Sequence, residues 1–83
     1  MARVIIIDDS ISKRKYIRGI LQGDVHDIYE ASDCSDALDM MEAGTPDCVV
    51  LGLMAAYFDG MLALDALTEK MSNRNVTVLT SDD

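Results

Sequence analysis

Two adjacent carboxylates, Asp8 and Asp9, follow directly on the apolar run Val4-Ile5-Ile6-Ile7 and are the residues best suited to chemistry. A small hard cation such as Mg2+ prefers carboxylate and carbonyl oxygens, and adjacent acids at a strand end concentrate them. The same pair also suits a plainer role, because two acids at a helix start are favoured by the helix dipole. A second apolar run, Cys48-Val49-Val50-Leu51-Gly52-Leu53-Met54, leads to Asp59-Gly60, and a third, Val76-Thr77-Val78-Leu79-Thr80-Ser81, lies near the end of the chain. Other reactive side chains are poorly placed. His26 is the single histidine and has no ligand or acid–base partner by spacing, so it is expected at a sheet edge. Cys34 and Cys48 lack CxxC spacing and read as reduced thiols filling the core of a cytoplasmic protein.

The elements that must position these groups alternate strand and helix, without a linker or a repeat. Residues 3–8 read as a fully buried parallel strand, β-branched and unbroken. Ser10 or Ser12 can cap a helix whose inner stripe is Ile17, Ile20 and Leu21, ending at Gly23. Residues 26–31 alternate polar and apolar, as at a sheet edge. Ser32 or Asp33 caps a short helix with Ala37, Leu38 and Met41 inward, stopped at Gly44-Thr45-Pro46. A strand over 48–53, a helix from Asp59-Gly60 to about Met71 and a strand over 76–80 complete the pattern. Strands and helices at this spacing imply right-handed βαβ units around a parallel sheet. Ligands of such sheets sit beyond the C-terminal ends of the strands, where Asp8, Asp9, Gly52 and Thr80 all fall. Tyr16 and Tyr29 are expected to cover the edges of the core.

Eighty-three residues make a single domain, here 1–83, and a small one. Such a chain buries only about 60–65% of its unfolded surface. A hydrophobic share of 49% with 27% charge is ordinary for a globular protein and argues against disorder. No apolar run approaches the roughly 20 residues that span a membrane. A net charge of −8 argues against nucleic acid and anionic membranes as partners. Residues 10–23 depart from this balance, holding Lys13, Arg14, Lys15 and Arg18 and no acid. This basic helix is either a solvated face or a contact site for an acidic partner or another copy of the chain.

Taken together, the three apolar runs with Asp8-Asp9 and Asp59-Gly60 resemble the receiver domain of two-component response regulators. The resemblance implies a flavodoxin-like three-layer α/β sandwich, here with four parallel strands in the order 2-1-3-4 and three helices. It also implies that Asp8, Asp9 and the backbone carbonyl of Met54 are the remaining Mg2+ ligands. The position matching Gly52 carries the aspartate that accepts phosphate in that family, and Thr80 matches the hydroxyl residue that reads the phosphorylated state. Glycine offers no oxygen for an acyl phosphate. Ala55-Ala56 stand where the family commonly has Met-Pro, and the family's lysine, at the end of a fifth strand, has no counterpart before Asp83. Gly52 and Thr80 are therefore expected to form a vestigial phosphorylation site, with no required cofactor and only weak binding of Mg2+.

The same resemblance makes the chain a receiver lacking its last third, with strand 76–80 at an unprotected edge. A helix stripped from one sheet face would expose on the order of 500 Å² of apolar surface, worth about 12 kcal/mol. The helix after Gly60 is apolar most of the way round, and Tyr57 and Phe58 precede it. These features predict a non-enzymatic signalling protein that works by binding and by homodimerisation through Val76, Val78, Leu79, Tyr57 and Leu62, with a two-component protein as a further partner. Two alternatives stand beside it: a fragment of a longer response regulator without independent activity, and a weak Mg2+-binding phosphoacceptor that uses Asp8 or Asp9.

Overall fold

The computed structural model describes residues 2–24, 26–52, 60–72 and 74–79. Four strands, β1 (Ala2–Ile7), β2 (His26–Ala31), β3 (Cys48–Gly52) and β4 (Asn75–Leu79), form one parallel sheet in the order β2-β1-β3-β4. Between them run α1 (Ile11–Leu21), α2 (Cys34–Met40) and α3 (Gly60–Lys70). The expected order is observed, with three α-helices among the described residues.

Unbroken aliphatic strands make sense because β1 and β3 are covered on both sides. Ile5, Ile7, Val49 and Leu51 face α2 and α3, meeting Ala37, Met41, Leu67 and Met71 in one buried cluster. Val4, Ile6 and Val50 face the other way, where Ile17 and Leu21 of α1 pack on them. Helix starts follow local chemistry. Ser10 caps α1 by accepting a hydrogen bond from Lys13 N at 3.3 Å, and Asp33 caps α2 through Asp36 N at 2.8 Å. Past α2 the chain tightens into a 3-10 turn at Met41–Ala43 and leaves through Gly44, whose φ of 155° favours glycine.

Three expectations need correction. Ile20 does not belong to the inner stripe of α1, being 62% exposed. The helix turns Arg14, Ile17, Arg18 and Leu21 toward the sheet instead, because the two arginine stems cover apolar surface while their heads reach Glu30. Tyr16 does not cover a core edge either, for at 72% exposure it lies on the outer side of the same helix. Nor is a bare sheet face seen on β1 to β3 among the described residues, where Val4, Ile6, Val49, Val50 and Leu51 are all buried. The open part of the sheet is β4, with Asn75, Thr77 and Val78 exposed.

Candidate functional site

The site is the end of the sheet where β1 and β3 finish side by side, Ile7 opposite Leu51. Asp8 lies one residue past β1 and is only 7% exposed, whereas Asp9 next to it is exposed. Several bonds fix Asp8. Its N–H donates to Ala31 O at 3.0 Å, which carries the β1–β2 ladder one residue further. Its carbonyl accepts from Arg14 Nη1 at 2.6 Å. Its carboxylate Oδ1 accepts from Ser10 N at 2.9 Å, a local turn that leads straight into the Ser10 cap of α1.

The other carboxylate oxygen fills the space over Gly52. A Cβ placed on Gly52 would overlap Asp8 Oδ2, lie 2.9 Å from Asp8 Cγ and come 3.2 Å from the Ile7 carbonyl. Gly52 itself is buried, paired with Leu79 across β3–β4. The two ends therefore interlock: the glycine leaves the room, and the aspartate takes it. Nothing in the spacing of Asp8 and Gly52 along the chain signals this contact, because it depends on the side-chain direction of Asp8 and not on the register.

Arg14 is the residue that motif reasoning passed over. Besides Asp8 it binds Glu30 of β2, Nε to Oε1 at 3.1 Å, with both side chains largely buried. Arg18 completes the cluster. Its Nε lies 2.8 Å from Glu30 Oε2 as an ion pair without hydrogen-bond alignment, and its Nη2 donates to Ile28 O at 2.8 Å. Half of the basic helix thus turns inward and clamps α1 to the edge strand, while Lys13 and Lys15 do not share in this pairing. The sequence signal was available: Arg14 and Arg18 are four apart, on the stripe of Ile17 and Leu21.

As a cation site, the described donor set is thin. Asp8 and Asp9 supply carboxylates, but one Asp8 oxygen is held by Ser10 N and the other rests on Gly52. Among the described residues no group of three His, Cys, Asp or Glu side chains could hold a metal. The remaining expected ligand, the carbonyl of Met54, lies outside the described residues, as do Thr80 and Tyr57. Leu79 is placed only as a β4 backbone position. Of the expected contact residues, Leu62 is 86% exposed on α3, Val78 is 50% exposed on β4, and Val76 packs partly on the core beneath α3. Cys34 is buried, and the Cys48 thiol is pushed above its ordinary pKa, first by burial and then by the neighbouring Asp47 charge. No described helix is long and apolar enough to cross a membrane.

Known proteins place this geometry in a family. The response regulator receiver domain pattern matches residues 4–83. The transcriptional regulatory protein LiaR of Bacillus subtilis is 32% identical over 83 residues, covering 98% of this chain and 39% of that protein. The response regulator MprA of Mycolicibacterium vanbaalenii is 30% identical over 81 residues, covering 98% of this chain and 35% of that protein. The chain thus spans well under half the length of these relatives. The N-terminal domain of a response regulator receiver protein from Methanoculleus marisnigri superposes with a TM-score of 0.81 at 21% identity, over 99% of this chain and 68% of that one. NtrX of Brucella abortus in complex with ADP gives a TM-score of 0.80 at 25% identity, over 95% of this chain and 17% of that one. With its sheet order, its helices on both faces and its acidic strand end, the chain belongs to the response regulator receiver domain family.

Proposed function

We infer that this chain is a receiver-type signalling module of two-component systems that does not accept a phosphoryl group and acts by binding, as a homodimer. One observation carries the reading: at the end of β3, where a receiver presents its acceptor, stands Gly52, and the Asp8 carboxylate occupies the space a side chain would need. An acyl phosphate forms when a carboxylate oxygen attacks phosphorus and the leaving group departs with the P–O electrons. Gly52 supplies no such oxygen. Asp8 is not a substitute, since one of its oxygens is engaged by Ser10 N and the other is turned down onto the glycine. Mg2+ would find two adjacent carboxylates and mostly water, which gives weak binding.

Self-association is supported by β4. It closes one edge of the sheet, pairs among the described residues only with β3, and carries no charge or proline over Asn75–Leu79. Exposed, uncharged edge strands invite pairing with a second strand. Val78, exposed at that edge, sits on the α3 side of the sheet with Val76, so a copy docking there would cover both.

Incubation with a small-molecule phosphodonor and Mg2+, followed by intact mass measurement, should show no gain of one phosphoryl group; a stable adduct overturns the first half. Light scattering at micromolar concentration should give the mass of a dimer, and Val78→Lys should return it to the mass of one chain. A well-folded wild-type monomer would refute the second half.

A further inference from the structure

A second site lies at the opposite end of the sheet, on the side that α2 covers. Arg3, Ile5 and Tyr29, with Met40, Ala43 and Gly44 at the end of α2, line a half-open cleft of about 270 Å³. The cleft exists because α2 is short. After seven residues it tightens into the Met41–Ala43 turn and leaves through Gly44, so the end of α2 forms one wall of the cleft and β1 and β2 form the other. Its walls are mostly apolar, and one cation is set into them. The Arg3 guanidinium lies 5.8 Å from the centre of the Tyr29 ring and against the bare Cα of Gly44, where a Cβ would come within 2.6 Å of Nη1.

Among the described residues the Arg3 guanidinium pairs with no acid. The ion pairs among the described residues are Arg14 and Arg18 with Glu30, and Arg74 with Asp47. Asp47 engages Arg3 only through the main chain, Arg3 N donating to Oδ2 at 2.9 Å and Asp47 N donating to Arg3 O at 2.8 Å. Asp27 faces Arg3 in the β1–β2 register without pairing with it. In a chain with fifteen acids and seven bases, a half-buried guanidinium without an anionic partner among the described residues stands out. Guanidinium recognises carboxylates with a planar pair of donors, and a flat apolar body complements Ile5, Met40 and the tyrosine ring.

We propose that the cleft between Arg3, Tyr29 and Gly44 binds a small amphipathic monocarboxylate, its carboxylate on Arg3 and its apolar body, about ten non-hydrogen atoms, over Ile5 and Met40. The site is independent of Gly52 and of β4, and stands or falls separately from the absence of phosphorylation and from dimerisation.

Hydrocinnamate and its uncharged counterpart hydrocinnamyl alcohol test this in the intact chain, followed by amide proton–nitrogen correlation spectra. Hydrocinnamate should shift Arg3, Tyr29, Ala43 and Gly44 saturably, with a Kd on the order of 1 mM for so small a ligand. The alcohol should bind about tenfold more weakly. Arg3→Met, which leaves the main-chain bonds to Asp47 in place, should abolish the preference for the acid. Asp27→Asn, which removes the carboxylate opposite Arg3 in the β1–β2 register, should tighten acid binding. Equal binding of acid and alcohol, a preference unchanged in Arg3→Met, or no saturable shift up to about 10 mM would overturn the proposal.

Discussion

Any side chain at position 52 must displace Asp8, and the cost can be worked out. A Cβ there overlaps Asp8 Oδ2 and sits 2.9 Å from Cγ, so rotating the carboxyl group about its last bond does not clear it; the whole Asp8 side chain has to swing away. That breaks the Ser10 N–Oδ1 bond, a hydrogen bond to a charged group worth about 1.5–3 kcal/mol. Overpacking against the Ile7 carbonyl, 3.2 Å from the new atom, adds about 1 kcal/mol or more. Gly52→Ala should therefore cost about 3 kcal/mol. Gly52→Asp should cost more, about 4–5 kcal/mol, since it sets a second carboxylate beside a buried one. In a domain of this size, each kcal/mol lowers Tm by about 4–8 °C, so Gly52→Ala should melt at least about 12 °C below wild type. Thermal melts followed by circular dichroism read this directly. The double variant isolates the cause: in an Asp8→Ala background the obstructing carboxylate is gone and only the Ile7 carbonyl contact remains, so Gly52→Ala should cost only about 1 kcal/mol, a coupling of about 2 kcal/mol. If the two substitutions add, or if Gly52→Ala melts with the wild type, Asp8 does not fill the glycine's space and the reasoning fails. Gly52→Asp should also remain unphosphorylated in the otherwise intact chain, because the Asp8 carboxylate it displaces is no longer held in place by Ser10 N beside it.

Two further outcomes follow from the clamp and the thiol. Glu30→Gln removes the charge that both Arg14 and Arg18 share while leaving their stems packed, and chemical denaturation should show a loss of about 1–3 kcal/mol; a change within about 0.5 kcal/mol would mean the clamp is only a surface arrangement. The Cys48 thiol, whose folded pKa is raised above 9.0 by burial and by Asp47, holds its proton in the folded chain while the unfolded chain ionises. Unfolding then releases protons, so stability should be flat below about pH 8 and fall as the pH rises past 9.0 toward the folded value. Cys48→Ala should remove that part of the decline, and an unchanged pH profile in the variant would show that the thiol contributes nothing.

The architecture was legible because its signals are local and agree with one another. Val4 to Ile7 and Val49 to Leu51 are runs that only a doubly covered parallel strand accommodates, Ser10 and Asp33 stand at the helix starts, and Gly44-Thr45-Pro46 closes α2. What was not legible depends on where long side chains lean. Ile20 reads as core by its type, yet α1 gives the inward stripe to Arg14 and Arg18, whose stems do the covering and whose heads find Glu30 across a gap of sixteen and twelve positions. Asp8 reads as an open acid at a strand end. Its burial over Gly52 involves a partner forty-four positions away, and periodicity carries no information on that contact.

The contacts around Asp8 bear directly on the role proposed for this end of the sheet. In an open reaction centre the acidic residues have to stay available to ion and substrate, free to respond when charge arrives. Here Asp8 is tied at both polar groups it owns on the main chain, to Ala31 O through its N–H and to Arg14 through its carbonyl, while one carboxylate oxygen accepts from Ser10 N and the other fills the space over Gly52. Arg14 passes the constraint on to Glu30 of β2, and Ser10 passes it on to the first turn of α1. The ends of β1 and β3, the edge strand β2 and the start of α1 are thereby joined through one residue. A switch needs two arrangements of similar free energy, with a ligand that binds one better than the other. Filling the vacancy at Gly52 with an internal carboxylate stabilises a single arrangement and removes the space in which a ligand could favour another. On the proposed reading, the glycine that supplies no acceptor oxygen thus also makes the site a rigid joint, and a rigid joint serves a binding module better than it serves a switch.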